Sequence, residues 1–188
     1  MKMKAILVLS VAALALSLSA EMKLGTVDMM LLVKNHPSYE RDKTLLKSTD
    51  KDYQKKLEEI KSEGDRMQDE GKKLMDQMRN PMLTAKAKAD IEKQLGDLQQ
   101  KLMGVEQRYR SEAMRCRQNL QDLEAQLLKA TTDELRKRIA KYASANGYDL
   151  IVDATAAVYA TNTLDVTDMM LKDLGVDPKE AKGRDEGK

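Results

Sequence analysis

From Tyr53 to Met78 the small and apolar residues step by four, then three, then four again: Tyr53, Leu57, Ile60, Gly64, Met67, Gly71, Leu74 and Met78. An a/d seam held for more than three heptads specifies a helix lying along another helix, because it returns the same stripe every 3.5 residues. After Pro81 a second seam runs through Ile91, Leu95, Leu98, Leu102, Val105 and Tyr109. It continues as Ala113, Cys116, Leu120, Leu123, Leu127 and Ala130. Two successive steps of four around Tyr109 form a stutter, which locally unwinds a supercoil. The remaining faces are dominated by Lys, Arg, Glu, Asp and Gln, as a solvated helix requires.

The two seams are of similar length and a short break separates them. Short helix–helix connections make antiparallel neighbours, so the break reads as the tip of a hairpin near residues 79–84. Asn80 and Pro81 stop the first helix, and the Thr84 hydroxyl is placed to cap the second. Met75, Met78, Met82 and Leu83 surround this tip. Methionine is flexible and polarizable and suits surfaces that re-pack around different partners. These four residues therefore either close the hairpin end or touch a partner. Gly64 and Gly71 sit on the first seam one heptad apart, which reads as close helix approach or as an arm that bends.

The ends have a different character. Residues 1–20 combine Lys2 and Lys4, the apolar run Ala5–Leu18 and small residues at Ser17, Ser19 and Ala20. That is the pattern of a cleaved secretory signal peptide, with a run too short to span a bilayer. The expected product is soluble and periplasmic. Two of the 33 basic residues lie in this leader, leaving 31 against 31 acidic ones. A neutral mature chain gives no support to nucleic-acid binding. Leu24–Asp28 reads as a strand, followed by a short helix from Met29. Asn146 and Gly147 end the second long helix. Tyr148–Asp153 then reads as a strand and Val158–Thr161 as its partner. The segment Asp165-Val-Thr-Asp168 opens a last helix through Leu174, capped by Asp165 or Thr167. The expected fold class is α+β and mostly α. A long antiparallel helical hairpin, residues 39–145, is inserted into a small β body of residues 21–38 and 146–176, with a flexible tail at 177–188. Leu24, Val27, Leu150, Val152 and Val158 are the residues expected to build the body.

The strings KLGTVDMMLLV after the leader and GYDLIVDATAAVYATNTLDVTDMMLKDL near the end resemble those of the Skp (OmpH-like) periplasmic chaperone family. The resemblance implies a homotrimer whose strands form a small β-barrel body. Three helical hairpins would project from it around a cavity that holds unfolded outer-membrane proteins without ATP. Family members tend to be strongly basic, whereas this mature chain is neutral.

No catalytic constellation is visible, and neither a cofactor nor a metal is expected. His36 is the only histidine and lies beside Pro37. The glycines of the helical region are scattered and form no phosphate loop. Cys116 is the only cysteine, so no disulfide forms within the chain; it reads as a small seam residue, the alternative being a bridge between chains. The densest basic cluster is Arg108, Arg110, Arg115 and Arg117, with Glu112 among them. It reads as a solvated face or as a basic stripe facing anionic client loops or lipid headgroups. The reading from another class is an exported coiled-coil scaffold that binds one folded partner.

Overall fold

The structure is a computed structural model that describes residues 22–183. The leader read at residues 1–20 and the last five residues of the tail lie outside them. The chain divides into two units, residues 22–36 with 132–183, and residues 37–131.

The first unit is built from both chain ends. β1 (Leu24–Val27) pairs in parallel with β2 (Leu150–Asp153), in the register Leu24↔Leu150 to Val27↔Asp153. Gly25 lets Tyr148 and Ile151 close over the strand, because a Cβ would stand 3.1 Å from the Tyr148 ring and 3.2 Å from Ile151, tighter than ordinary contact. On its other edge β1 bridges to Asp165, and the Val166 amide donates to the Thr26 carbonyl at 2.8 Å. α1 (Met29–Lys34) starts where the Asp28 carboxylate accepts from the Leu31 amide at 2.8 Å. α4 (Thr167–Asp173) starts where Asp165 Oδ1 accepts from the Thr167 amide at 2.8 Å. The buried Thr167 hydroxyl in turn accepts from the Asp28 amide at 2.9 Å. The Asp-Val-Thr motif thus binds the two chain ends to each other, which gives a physical reason for its place in the sequence.

Leu32, Leu135, Met170 and Leu171 form the fully buried centre of this unit, surrounded by Val27, Leu31, Ile139, Val166 and Leu174. Leu135 and Ile139 come from the last turns of α3 (Ala85–Ala145). Residues 132–145, which the sequence pattern runs into the arm, are therefore packed with the ends. Gly147 follows α3 with φ +67°, the left-handed stop that its position after Asn146 predicts.

Two expectations fail in this unit. Val158–Thr161 is not a strand, and there is no β-hairpin within the described residues. Asp153 Oδ1 accepts from the Thr155 amide at 2.9 Å and turns the chain directly after β2. Single 3-10 turns follow at Ala154–Ala156 and Asn162–Leu164, and Val158 and Tyr159 between them project into solvent. The turn at Asp153–Thr155 carries the chain away from β2, and the outer edge of β2 is left unpaired among the described residues. The second failure is the start of the tail. Pro178 and Ala181 are buried, and Asn35 exchanges two hydrogen bonds with the Lys182 backbone at 3.0 and 2.8 Å. The chain is docked rather than free as far as it is described.

The second unit is the hairpin. α2 (Tyr39–Met78) is 40 residues, roughly 60 Å at 1.5 Å per residue. It lies antiparallel to α3 in a constant register. A Cβ on Gly64 would stand 3.5 Å from Val105, and one on Gly71, seven residues on, 3.4 Å from Leu98, seven residues back. Near the start of α2 the hydroxyls of Ser38 and Thr131 are 3.4 Å apart, in the same register. Every residue of the first seam is buried or half-buried, as are most of the second. Tyr109 remains partly exposed at the stutter. Ala130 is exposed and Thr131 is buried in its place, because the step after Leu127 is four rather than three.

Candidate functional site

The tip is a short turn with fixed geometry. Asn80 Oδ1 accepts from the Met82 amide at 3.0 Å, and Thr84 Oγ1 accepts from the Ala87 amide at 3.2 Å, capping α3 as its position predicts. The four apolar residues around the tip then separate into two pairs. Met78 and Leu83 are half-buried, and Leu83 lines a recess with Ile91 and Asn80 that closes the hairpin end. Met75 is 56% exposed and Met82 87%. A tightly bonded turn holds Met82 out in water.

The arginine cluster is mostly neutralised. Arg108 is bonded to Glu63 across the hairpin. Arg110 lies 3.8 Å from Glu106 and Arg115 2.7 Å from Glu112. Among the described residues no carboxylate pairs with Arg117 in this way. Glu112 is the centre of this region. It accepts from Lys56 of α2 at 2.5 Å and from Arg115, and Cys116 Sγ lies 3.6 Å away. The hydrogen bond from Lys56 and then that from Arg115 hold its carboxyl at a pKa of about 2, against an ordinary 4.5. Burial, with the neighbouring Glu112, pushes the Cys116 thiol up. A buried thiol kept protonated is a packing residue and a poor nucleophile.

The body residues also separate. Val27 belongs to the core and Val152 is half-buried, whereas Leu24, Leu150 and Val158 are exposed. Leu24 and Leu150 are register partners, so two exposed leucines stand side by side on the sheet. His36 is buried in the first unit with Nε2 3.4 Å from Glu134 Oε2. Among the described residues no group of three or more His, Cys, Asp or Glu could hold a metal ion, and no helix is long and apolar enough to cross a membrane.

The motifs from both ends and the hairpin between them meet in one family comparison. The model of the family described as outer membrane protein (OmpH-like) matches residues 23–174, most of the chain. The chain belongs to the OmpH-like family. The match spans both strands, both long helices and α4, and so extends beyond the heptads at both ends. The OmpH-like family is associated with chaperone activity toward outer-membrane proteins in the periplasm. Comparison with curated proteins gives no match.

Sequence reasoning missed two parts of the OmpH-like surface. Met103 and Met114 are 58% and 69% exposed on α3. Eleven residues are close to three whole turns, so both lie on one face, and reading that face for apolar residues would have found them. The Lys56–Glu112 contact depends on the register between two distant helices, which neither seam specifies alone.

Proposed function

We propose that this chain is an ATP-independent periplasmic holdase that binds unfolded outer-membrane proteins between the helical arms of a homotrimer. The observation that carries the reading is the exposure of Met75, Met103 and Met114 on helices whose other outward positions are mainly charged or polar, and of Met82 on the turn between them. Large apolar side chains held in water on a solvated arm suit transient contact with partners of no fixed shape. The family membership points the same way.

The trimer draws support from the body. Among the described residues β2 pairs only with β1, so its outer edge offers unpaired backbone groups. Leu24, Leu150, Val158 and Tyr159 are exposed beside it. Strands and apolar residues of two further copies would cover them, and Ala157–Thr161, extended at both its ends, is a candidate for pairing between copies. Headgroup contact through the arginines draws less support, because three of the four already face carboxylates.

The deciding experiment dilutes a denatured β-barrel membrane protein into buffer with and without the purified chain and follows light scattering. Suppression near one trimer per client is expected without nucleotide. Full aggregation at excess chain would refute the holdase reading and favour a scaffold for a folded partner. Light scattering of the chain alone should give the trimer mass, and a fully helical monomer at micromolar concentration would refute the assembly.

A further inference from the structure

One side of the hairpin carries a groove. Between α2 and α3 two adjoining hollows of about 300 and 450 Å³ share Gln68 and Leu102 and run from Ile60 and Tyr109 to Met75 and Leu95. The fifteen helical steps from Ile60 to Met75 make the groove roughly 22 Å long. Its floor is apolar: Leu98, Leu102 and Val105 of α3 against Gly64 and Gly71 of α2, which contribute no side chain. Met75 stands at its distal end. On α3, helical geometry places Met103 and Met114 on the flank that also carries Gln99 and Arg110 of the groove wall. The exposed methionines of the two helices therefore border the same face of the arm.

The walls say what kind of segment fits. Lys61, Lys72 and Arg110 face Asp65 and Glu106, and Arg110 is within 3.8 Å of Glu106. So nearly balanced a border does not favour a charged occupant. Gln68 and Gln99 stand on opposite walls at nearly the same level of the register, and neither side-chain amide is engaged in a hydrogen bond among the described residues. A helix satisfies its own backbone and has no use for such amides. An extended segment carries free N–H and C=O groups that need them. At about 3.3 Å per residue the groove takes roughly seven extended residues.

The geometry points to this groove as a docking site for an uncharged, extended segment with alternating apolar side chains. Its apolar side chains enter the glycine-floored hollow, its backbone bonds to Gln68 and Gln99, and the methionines cover its edges. As to the natural occupant, the inference rests on the holdase reading, since a transmembrane β-strand before folding has this alternation.

The test uses the full mature chain and a dye-labelled synthetic ten-residue peptide alternating apolar with uncharged polar residues. A second peptide has the same composition reordered to a helical period. A photoreactive side chain is placed at Gln99 and, as a control, at Lys101, which two residues of helix turn to the other flank. The alternating peptide should crosslink at 99 and not at 101, and more strongly than the reordered one. The double substitution Gln68→Ala with Gln99→Ala should weaken its binding about tenfold, as expected for two lost neutral hydrogen bonds, with the melting curve unchanged. Equal crosslinking at both positions, equal binding of the two peptides, or affinity unaffected by the double substitution overturns the groove. Client aggregation assays keep the two readings apart. If the double variant protects as well as wild type, the groove is wrong and the holdase reading stands. If wild type does not protect, the holdase reading fails and the peptide result still decides the groove.

Discussion

Gly64→Ala should stabilise the hairpin, and the structure supplies both sign and size. Gly64 is buried in the interior of a 40-residue helix, where glycine costs about 0.8 to 1 kcal/mol relative to alanine. The usual reason to keep it is that a side chain would collide with the facing helix. Here an added Cβ lies 3.5 Å from Val105 Cγ1 and 3.8 Å from Leu102 Cδ1, which is ordinary contact. The new methyl is therefore partly buried without collision, worth up to about 0.8 kcal/mol more. The expected gain is roughly 1 to 2 kcal/mol. Gly96→Ala is the internal control, because its Cβ meets nothing within 4 Å and only the propensity of about 0.8 to 1 kcal/mol applies. Urea unfolding followed by circular dichroism, with amide exchange across residues 60–68, measures both. A destabilised Gly64→Ala, or one no more stable than Gly96→Ala, would show that the helices tolerate no methyl at this crossing and would refute the reasoning.

Leu135→Ala removes a fully buried side chain from the first unit and should cost about 3 kcal/mol, read as a drop in the urea midpoint. Lys56→Met should raise the Glu112 pKa from about 2 toward 4.5, because the Lys56 hydrogen bond is the largest cause of its depression; a carboxyl NMR titration reads this directly. Since the folded value is the lower one, the contribution of Glu112 to stability is complete above about pH 4.5 and is lost as pH falls through 2. At the tip, Met75→Gln with Met82→Gln should weaken client protection and leave melting unchanged, whereas Met78→Gln with Leu83→Gln should lower melting.

The hairpin was legible because its information is local and periodic. The seam residues Tyr53 to Met78 and Ile91 to Leu127 needed only a step count, and Asn80-Pro81 with Thr84 marked the turn between them. The strands were harder. Leu24–Val27 and Leu150–Asp153 were found, but their pairing joins residues 126 apart in sequence, and a string of β-formers carries no label for its partner. Val-Tyr-Ala-Thr after β2 reads as strand by composition, yet the Asp153–Thr155 turn directs it away from the free edge of β2. The site was legible by type and not by place. The pattern put methionines at the tip, but which two are buried follows from how the turn closes. The arginines clustered in sequence, yet Glu63 and Glu106 answer two of them through helical and interhelical geometry.

A helix that keeps glycine where alanine would fit forgoes stability, and α2 does so twice on its packed face. Gly71 is the tighter case, with Leu98 at 3.4 Å from its would-be Cβ, at the edge of ordinary contact. Neither contact demands glycine, so close approach does not explain the pair. Two explanations remain and they predict different things. If the glycines let the arm bend, alanine stiffens it without altering the affinity of a short segment. If they keep the floor of the groove empty, each methyl reduces the space above Leu98, Leu102 and Val105 and weakens peptide binding while raising stability. A stability gain paired with an affinity loss would place the glycines in the binding surface, and a stability gain alone would place them in the mechanics of the arm.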